Sequence, residues 1–160
     1  MNSSSSEVYR IVKATIRDVW AIQQLEKAIF PKDAYSLFEI LMLFITPHIY
    51  NMKAINAEGK LIGYLAVSKD FGPFAAWIIT IGVDEQYQRR GLGKRLMRWI
   101  EEELLPPRIR LTVRVSNTPA ITLYEHMGYQ QIEYRHRYYP DGEDGLVMEK
   151  VLSPKTMEHR

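Results

Sequence analysis

Apolar residues recur along this chain with two periods, one near 3.6 residues and one near two, and their order predicts the fold. Tyr9 to Lys13 alternates around Ile11 and reads as a first strand. Thr15 opens a helix reaching about Ile29, with Val19, Ile22, Leu25, Ala28 and Ile29 on one face, and Phe30-Pro31 breaks it. Ser36 followed by Glu39 is a capping box that starts a second, very apolar helix to about Ile45, stopped near Pro47. Strands follow at about Ile49 to Ile55 and Leu61 to Lys69, joined by the turn Asn56-Ala57-Glu58-Gly59. After Phe71-Gly72-Pro73 comes a β-branched strand, about Ala75 to Val83.

Gly91 to Leu105 carries Leu92, Leu96, Ile100 and Leu104 at four-residue spacing, a helix with one apolar stripe ended by Pro106-Pro107. Ile109 to Val115 alternates as a strand, and Asn117 to Met127 is a short helix ended by Gly128. Tyr129 to Tyr138 and Leu146 to Leu152 are two strands joined by Pro140-Asp141-Gly142-Glu143-Asp144-Gly145. The order β-α-α-β-β-β-α-β-α-β-β predicts an α/β protein, a mixed sheet with helices on both faces.

Bulk properties narrow this picture. The 160 residues suffice for one domain with a sizeable core, expected over residues 8–152 between flexible tails at 1–7 and 153–160. A 46% hydrophobic and 25% charged composition fits a soluble globular protein. The net charge of +2 gives no reason to expect a nucleic-acid partner. With no cysteine there is no disulfide, zinc-thiolate site or thiol nucleophile. His48, His126, His136 and His159 lack metal-ligand spacing, so no metal is expected. Ile40 to Ile45, the longest apolar stretch, is far short of the roughly 20 residues of a membrane span. The N-terminus lacks the features of a signal peptide, and a cytoplasmic location is expected.

The candidate chemistry begins where the strand ending at Val83 passes through a polar turn into the helix at Gly91. Two glycines, Gly91 and Gly93, let the backbone approach a ligand closely. The first amides of the helix lack internal partners, and its dipole adds positive potential. Arg89, Arg90 and Lys94 add charge, which suits the turn to a pyrophosphate. No hydroxyl follows the lysine as a P-loop requires, and Leu96 stands where a dinucleotide fingerprint needs a third glycine.

Gln88-x-x-Gly91-x-Gly93 resembles motif A of the GCN5-related N-acetyltransferase (GNAT) family, and Asn117-x-x-Ala120-x-x-Leu123-Tyr124-x-x-x-Gly128-Tyr129 is similar to its motif B. The resemblance runs over about Tyr9 to Leu152. It implies a twisted mixed sheet of about seven strands, splayed at the coenzyme site, with about four helices on its two faces. It implies acetyl-coenzyme A as cosubstrate, with backbone groups of Ile81, Gly82 and Val83 pairing with the pantetheine arm. Gln88, Arg89, Arg90, Gly91, Leu92, Gly93 and Lys94 would surround the pyrophosphate, Asn117 would contact the pantetheine arm, and the Tyr124 hydroxyl would protonate the leaving thiolate.

Within the family the likeness is to protein N-terminal acetyltransferases, including the ribosomal-protein type. Phe30-Pro31 stands where those enzymes line a peptide pocket, and Tyr138-Tyr139-Pro140 lies in the late hairpin that covers the peptide. The strand Arg110-Leu111-Thr112-Val113-Arg114-Val115-Ser116 and the run Asp141-Gly142-Glu143-Asp144-Gly145 continue the pattern. Thr112 and Trp77 depart from it, because relatives often carry a base there. An α-amine, with a reference pKa of about 7.7–8.0, needs less help from a base than a lysine near 10.4. The expected acceptor is a protein N-terminus. A polyamine, amino acid or antibiotic is the alternative, with Asp33, Glu39, Glu133, Glu143 and Asp144 as carboxylates on acceptor-side segments. Glu39 and Glu133 are also candidates for a base acting through water, and His136 alternates with Tyr134 and Tyr138 toward the acceptor side. A coenzyme-binding module without turnover is the reading outside enzymes. No membrane partner is expected, and the protein is expected to be a monomer or homodimer.

Overall fold

In the computed structural model, which describes residues 8–69 and 75–152, the expected elements appear in the expected order. They are β1 (Arg10–Lys13), α1 (Val19–Ile29), α2 (Leu37–Ile45), β2 (Ile49–Ile55), β3 (Leu61–Ser68) and β4 (Ala76–Val83), then α3 (Leu92–Trp99), β5 (Arg108–Arg114), α4 (Thr118–His126), β6 (Gln130–Arg135) and β7 (Gly145–Val151). The two tails and the Phe71-Gly72-Pro73 turn lie outside the described residues. One mixed sheet runs in the order β1-β2-β3-β4-β5-β7-β6. β4 and β5 are parallel, as a strand–helix–strand crossover through α3 requires. Their ladder holds two pairs, Ala76 with Ile109 and Trp77 with Arg110, whereas β5 pairs antiparallel with β7 from Arg108 to Arg114. Among the described residues, no helix is long and apolar enough to cross a membrane.

The chain divides into two compact units. One runs to Val67 and adds Ile79–Trp99; the other comprises Ser68–Ile78 and the chain from Ile100 onward. In the first, Val19, Ile22 and Leu25 of α1 pack with Ile40 of α2 and with Tyr64 and Ala66 of β3. On the other face of β3, a Cβ at Gly63 would lie 3.4 Å from Leu96 Cδ1 of α3, so helices cover both faces here. The predicted face of α1 needs correction: Ala28 is exposed, while Gln23 and Glu26 are buried. Ile16–Asp18 form a 3-10 turn before α1, fixed by the Thr15 amide donating to Asp18 Oδ2 at 2.8 Å.

The Ser36 box caps α2 as expected, with the Ser36 amide donating to Glu39 Oε2 at 2.8 Å and the Glu39 amide to Ser36 Oγ at 3.2 Å. The helix is less buried than its composition suggests: Ile40 is enclosed, but Leu37, Phe38, Met42 and Ile45 are exposed. In the β2–β3 turn, Asn56 Oδ1 accepts from the amides of Glu58 and Lys60.

All four stripe residues, Leu92, Leu96, Ile100 and Leu104, are buried. The helix does not stay α-helical to do this. Residues Ile100–Leu104 form a π turn, with the Leu105 amide bonded to Ile100 O at 3.2 Å. A spacing of four drifts forward around an α-helix of 3.6 residues per turn, and a wider turn takes up that drift.

In the second unit Ile109, Leu111 and Val113 of β5 and Leu146, Val147 and Met148 of β7 supply the core. The strand expected to reach Tyr138 stops at Arg135. Arg137 has φ 48°, a left-handed conformation that ends extended pairing, and its amide donates to Asp144 Oδ1 at 2.9 Å.

Candidate active site

The turn after β4 is built largely from its own side chains. Asp84 Oδ1 accepts from the Gln86 amide at 2.9 Å, and the Asp84 amide donates to Ile62 O at 2.8 Å. Gln88 Nε2 donates to Val83 O at 3.0 Å, tying the turn back to the strand end. Gln88 therefore braces the turn, a role its place in the motif did not reveal. Arg89 with φ 62° and Gly91 with φ 83° are both left-handed. Arg95 donates the first helical hydrogen bond, to Gly91 O at 3.0 Å. The amides of Leu92, Gly93 and Lys94 precede it and by helix geometry lack an intrahelical acceptor.

These features fit a pyrophosphate. Gln88, Arg89, Arg90, Gly91 and Lys94 are exposed, and a Cβ at Gly91 would meet nothing within 4 Å. Arg90 lies 5.6 Å from the Tyr87 ring centroid. Gly82 is needed for a different reason. A Cβ there would fall 2.9 Å from Ile29 Cδ1 and 3.4 Å from Phe30 Cε2, so the end of α1 docks directly on β4 beside Ile81 and Val83.

In the second unit Asn117 caps α4, its Oδ1 accepting from the Ala120 amide at 3.3 Å. Tyr124 is half-buried, its ring centroid 5.9 Å from that of Tyr129. Burial pushes the Tyr124 phenol up to about 12, so it holds its proton throughout the neutral range. Thr112 faces Val147 across the β5–β7 ladder. Thr112 Cγ2 and Tyr138 Cδ1 each lie 3.0 Å from the position a Gly145 Cβ would take, so the two side chains meet over that glycine. Tyr138 is exposed and contacts Tyr139 edge-on at 5.0 Å. Arg114 lies 4.2 Å from the Tyr139 ring centroid and is held by Asp141 and Glu143. Phe30 ends α1 half-buried, and Pro31 is exposed.

Two guanidinium groups approach the Trp77 ring, Arg110 at 5.9 Å and Arg135 at 5.4 Å from its centroid. Arg110 is also held by buried Glu149 at 2.6 Å. Several carboxylates proposed for an acidic pocket are committed locally. Glu143 accepts from the Ser116 amide and from Arg114, and hydrogen bonds from Ser116 first, then Arg114, hold it below the usual carboxylate value. Asp144 bonds the Arg137 amide and exposed His136. Glu39 is held low by its cap bond from the Ser36 amide, which makes it a poor base. Glu133 is exposed, 3.6 Å from Arg135.

Glu26 was missed. It sits on α1 with 3% exposure, and its Oε1 accepts from Thr80 Oγ1 of β4 at 2.5 Å. A signal existed: Val19, Ile22, Glu26 and Ile29 follow the three–four spacing of a buried stripe, with one charged residue in it.

The sequence profile of the Acetyltransferase (GNAT) family matches residues 16–129. The chain is 30% identical to an N-alpha-acetyltransferase of Sulfurisphaera tokodaii, over 90% of this chain and 93% of that protein. It is 36% identical to the N-alpha-acetyltransferase RimI of Mycobacterium tuberculosis, over 66% of this chain and 68% of the other. Among solved structures it is similar to the ribosomal-protein-S18-alanine N-acetyltransferase of Escherichia coli, with a TM-score of 0.82 and 26% identity, covering 96% of this chain and 99% of that one. With a family match across well over half its length and a relative 30% identical over nearly the whole of both chains, the chain belongs to the GNAT family of acetyltransferases.

Proposed function

We propose that residues 8–152 form one catalytic domain that transfers acetyl from acetyl-coenzyme A directly to the α-amine of a peptide or protein N-terminus. The pyrophosphate would take the amides and cations of Arg89 to Lys94, with Gln88 bracing them. The pantetheine arm would pair along Ile81, Gly82 and Val83. Phe30, Pro31, Tyr138 and Tyr139 would line the acceptor peptide. The neutral amine attacks the thioester carbonyl, and Tyr124 donates its phenolic proton to the departing sulfur. No covalent intermediate on the protein is needed.

The observation that carries the choice of acceptor is the approach of Arg110 and Arg135 to Trp77, with Glu143 and Asp144 tied into local hydrogen bonds. A polyamine pocket needs carboxylates open to a polycation. This surface offers guanidinium and aromatic groups instead. The likeness to relatives named as N-alpha-acetyltransferases supports the same choice.

The Tyr124→Phe variant tests the acid role. Turnover is expected to fall on the order of 100-fold, with affinity for the coenzyme unchanged by calorimetry. Unchanged turnover would remove Tyr124 from the chemistry.

A further inference from the structure

Thr112 and Trp77 cannot take a proton from the acceptor, and Glu39 is held ionised by its cap. Glu26 is differently placed. Its Oε1 accepts from the Thr80 hydroxyl, while Oε2 is buried with no hydrogen-bond partner. A buried carboxyl with one oxygen unsatisfied is costly, and an apolar residue on this helix face would avoid that cost. Burial drives its pKa up, against the smaller opposing effects of the Thr80 hydroxyl and the Tyr35 amide. The phenol of Tyr64 from β3 feels its charge and that of Tyr35, which lies between α1 and α2. Both phenols are engaged elsewhere: Tyr64 donates to Asn51 Oδ1 at 2.5 Å and Tyr35 to Ile79 O at 3.5 Å.

Position gives this group its meaning. Thr80 immediately precedes Ile81-Gly82-Val83, the segment assigned to the coenzyme arm. The last turn of α1 carries Glu26 and also the Ile29 and Phe30 atoms that close on Gly82. The carboxyl thus lies under the same helix end as Phe30, bonded to a hydroxyl of β4.

We propose that Glu26, acting through the Thr80 hydroxyl, receives the proton released by the acceptor amine. The proposal rests on the α-amine acetyltransferase reading. As the N–C bond forms and the C–S bond breaks, a proton passes from the amine nitrogen to Thr80 Oγ1, and the Thr80 hydroxyl proton passes to Glu26 Oε1. Tyr124 protonates the sulfur. Release of the Glu26 proton to solvent and uptake of one by Tyr124 restore both groups.

The test uses the full chain as Glu26→Gln, Thr80→Val and Thr80→Ser, with kcat, KM and pH profiles on an amine that the wild type acetylates. Glu26→Gln should lose on the order of 100-fold in kcat with little change in KM or coenzyme affinity. Two ionisations should shape the acid limb of the wild-type rate, that of the acceptor amine itself and that of the raised carboxyl, and only the amine's should remain in Glu26→Gln. Thr80→Val should behave alike, and Thr80→Ser should recover most of the rate. The melting temperature reports on folding. The raised pKa means that the stability of the protonated carboxyl is present at low pH and lost as pH rises through that pKa. Glu26→Gln should therefore melt above wild type by a margin that widens with pH.

Wild-type kcat and an unchanged acid limb in Glu26→Gln would overturn the relay and leave a structural pair. Should Glu26→Gln not fold, the same result in Thr80→Val would overturn it. The acceptor reading is judged separately, from which amines the wild type acetylates; a wild type that acetylates none overturns both.

Discussion

Gly91 and Gly93 stand two residues apart in one motif and are held for different physical reasons. Gly91 has φ 83°, a conformation that costs an L-residue about 1–2 kcal/mol, while the space around it is open. Gly93 is in the helix, and a Cβ there would make an ordinary contact of 3.9 Å with Val83 Cγ2. The free protein thus has no steric need for glycine at 93, and a close approach of the coenzyme to that amide is what the proposed site would require. Gly91→Ala is expected to lower the melting temperature. Gly93→Ala should melt like wild type and bind acetyl-coenzyme A more weakly in calorimetry. Wild-type affinity in Gly93→Ala would mean that the coenzyme does not approach the backbone there.

At the scale of elements, the β6–β7 hairpin is the part most open to test. Its tyrosines are placed by a glycine: a Cβ at Gly145 would press on Thr112 and Tyr138 at 3.0 Å each. Gly145→Ala should displace Tyr138, raising KM for the acceptor in steady-state assays while leaving coenzyme affinity intact. An unchanged KM would place the acceptor away from the hairpin. This coupling was not legible in the chain, because Thr112, Tyr138 and Gly145 are distant in sequence and meet only through strand register. What could be read was local. Ser36 with Glu39, Asn56 with Gly59, and the Gly128 helix end each depend on neighbouring residues, and each is found where expected. The π turn at Ile100–Leu104 was visible only as a spacing of four, which an α-helix alone does not explain. The end of β6 depends on Asp144 reaching back to Arg137. Glu26 is poorly legible in the chain because a charged helix residue ordinarily faces solvent, and its partner Thr80 comes from a strand 54 residues away.

At the scale of the whole molecule, a net charge of +2 conceals the local arrangement of charge. Arg89, Arg90 and Lys94 collect at the turn that suits a pyrophosphate. Arg110 and Arg135 both lie near Trp77, and carboxylates near the hairpin pair with Arg114. That distribution favours an acceptor whose single reacting amine enters without further positive charge. The most direct measurement is release of free coenzyme A from acetyl-coenzyme A by the purified protein, with short peptides of varied first residue, the same peptides with blocked N-termini, and spermidine. The account predicts turnover with free N-termini and none with blocked ones or spermidine. Turnover with spermidine alone would contradict it and move the enzyme to the small-amine acetyltransferases.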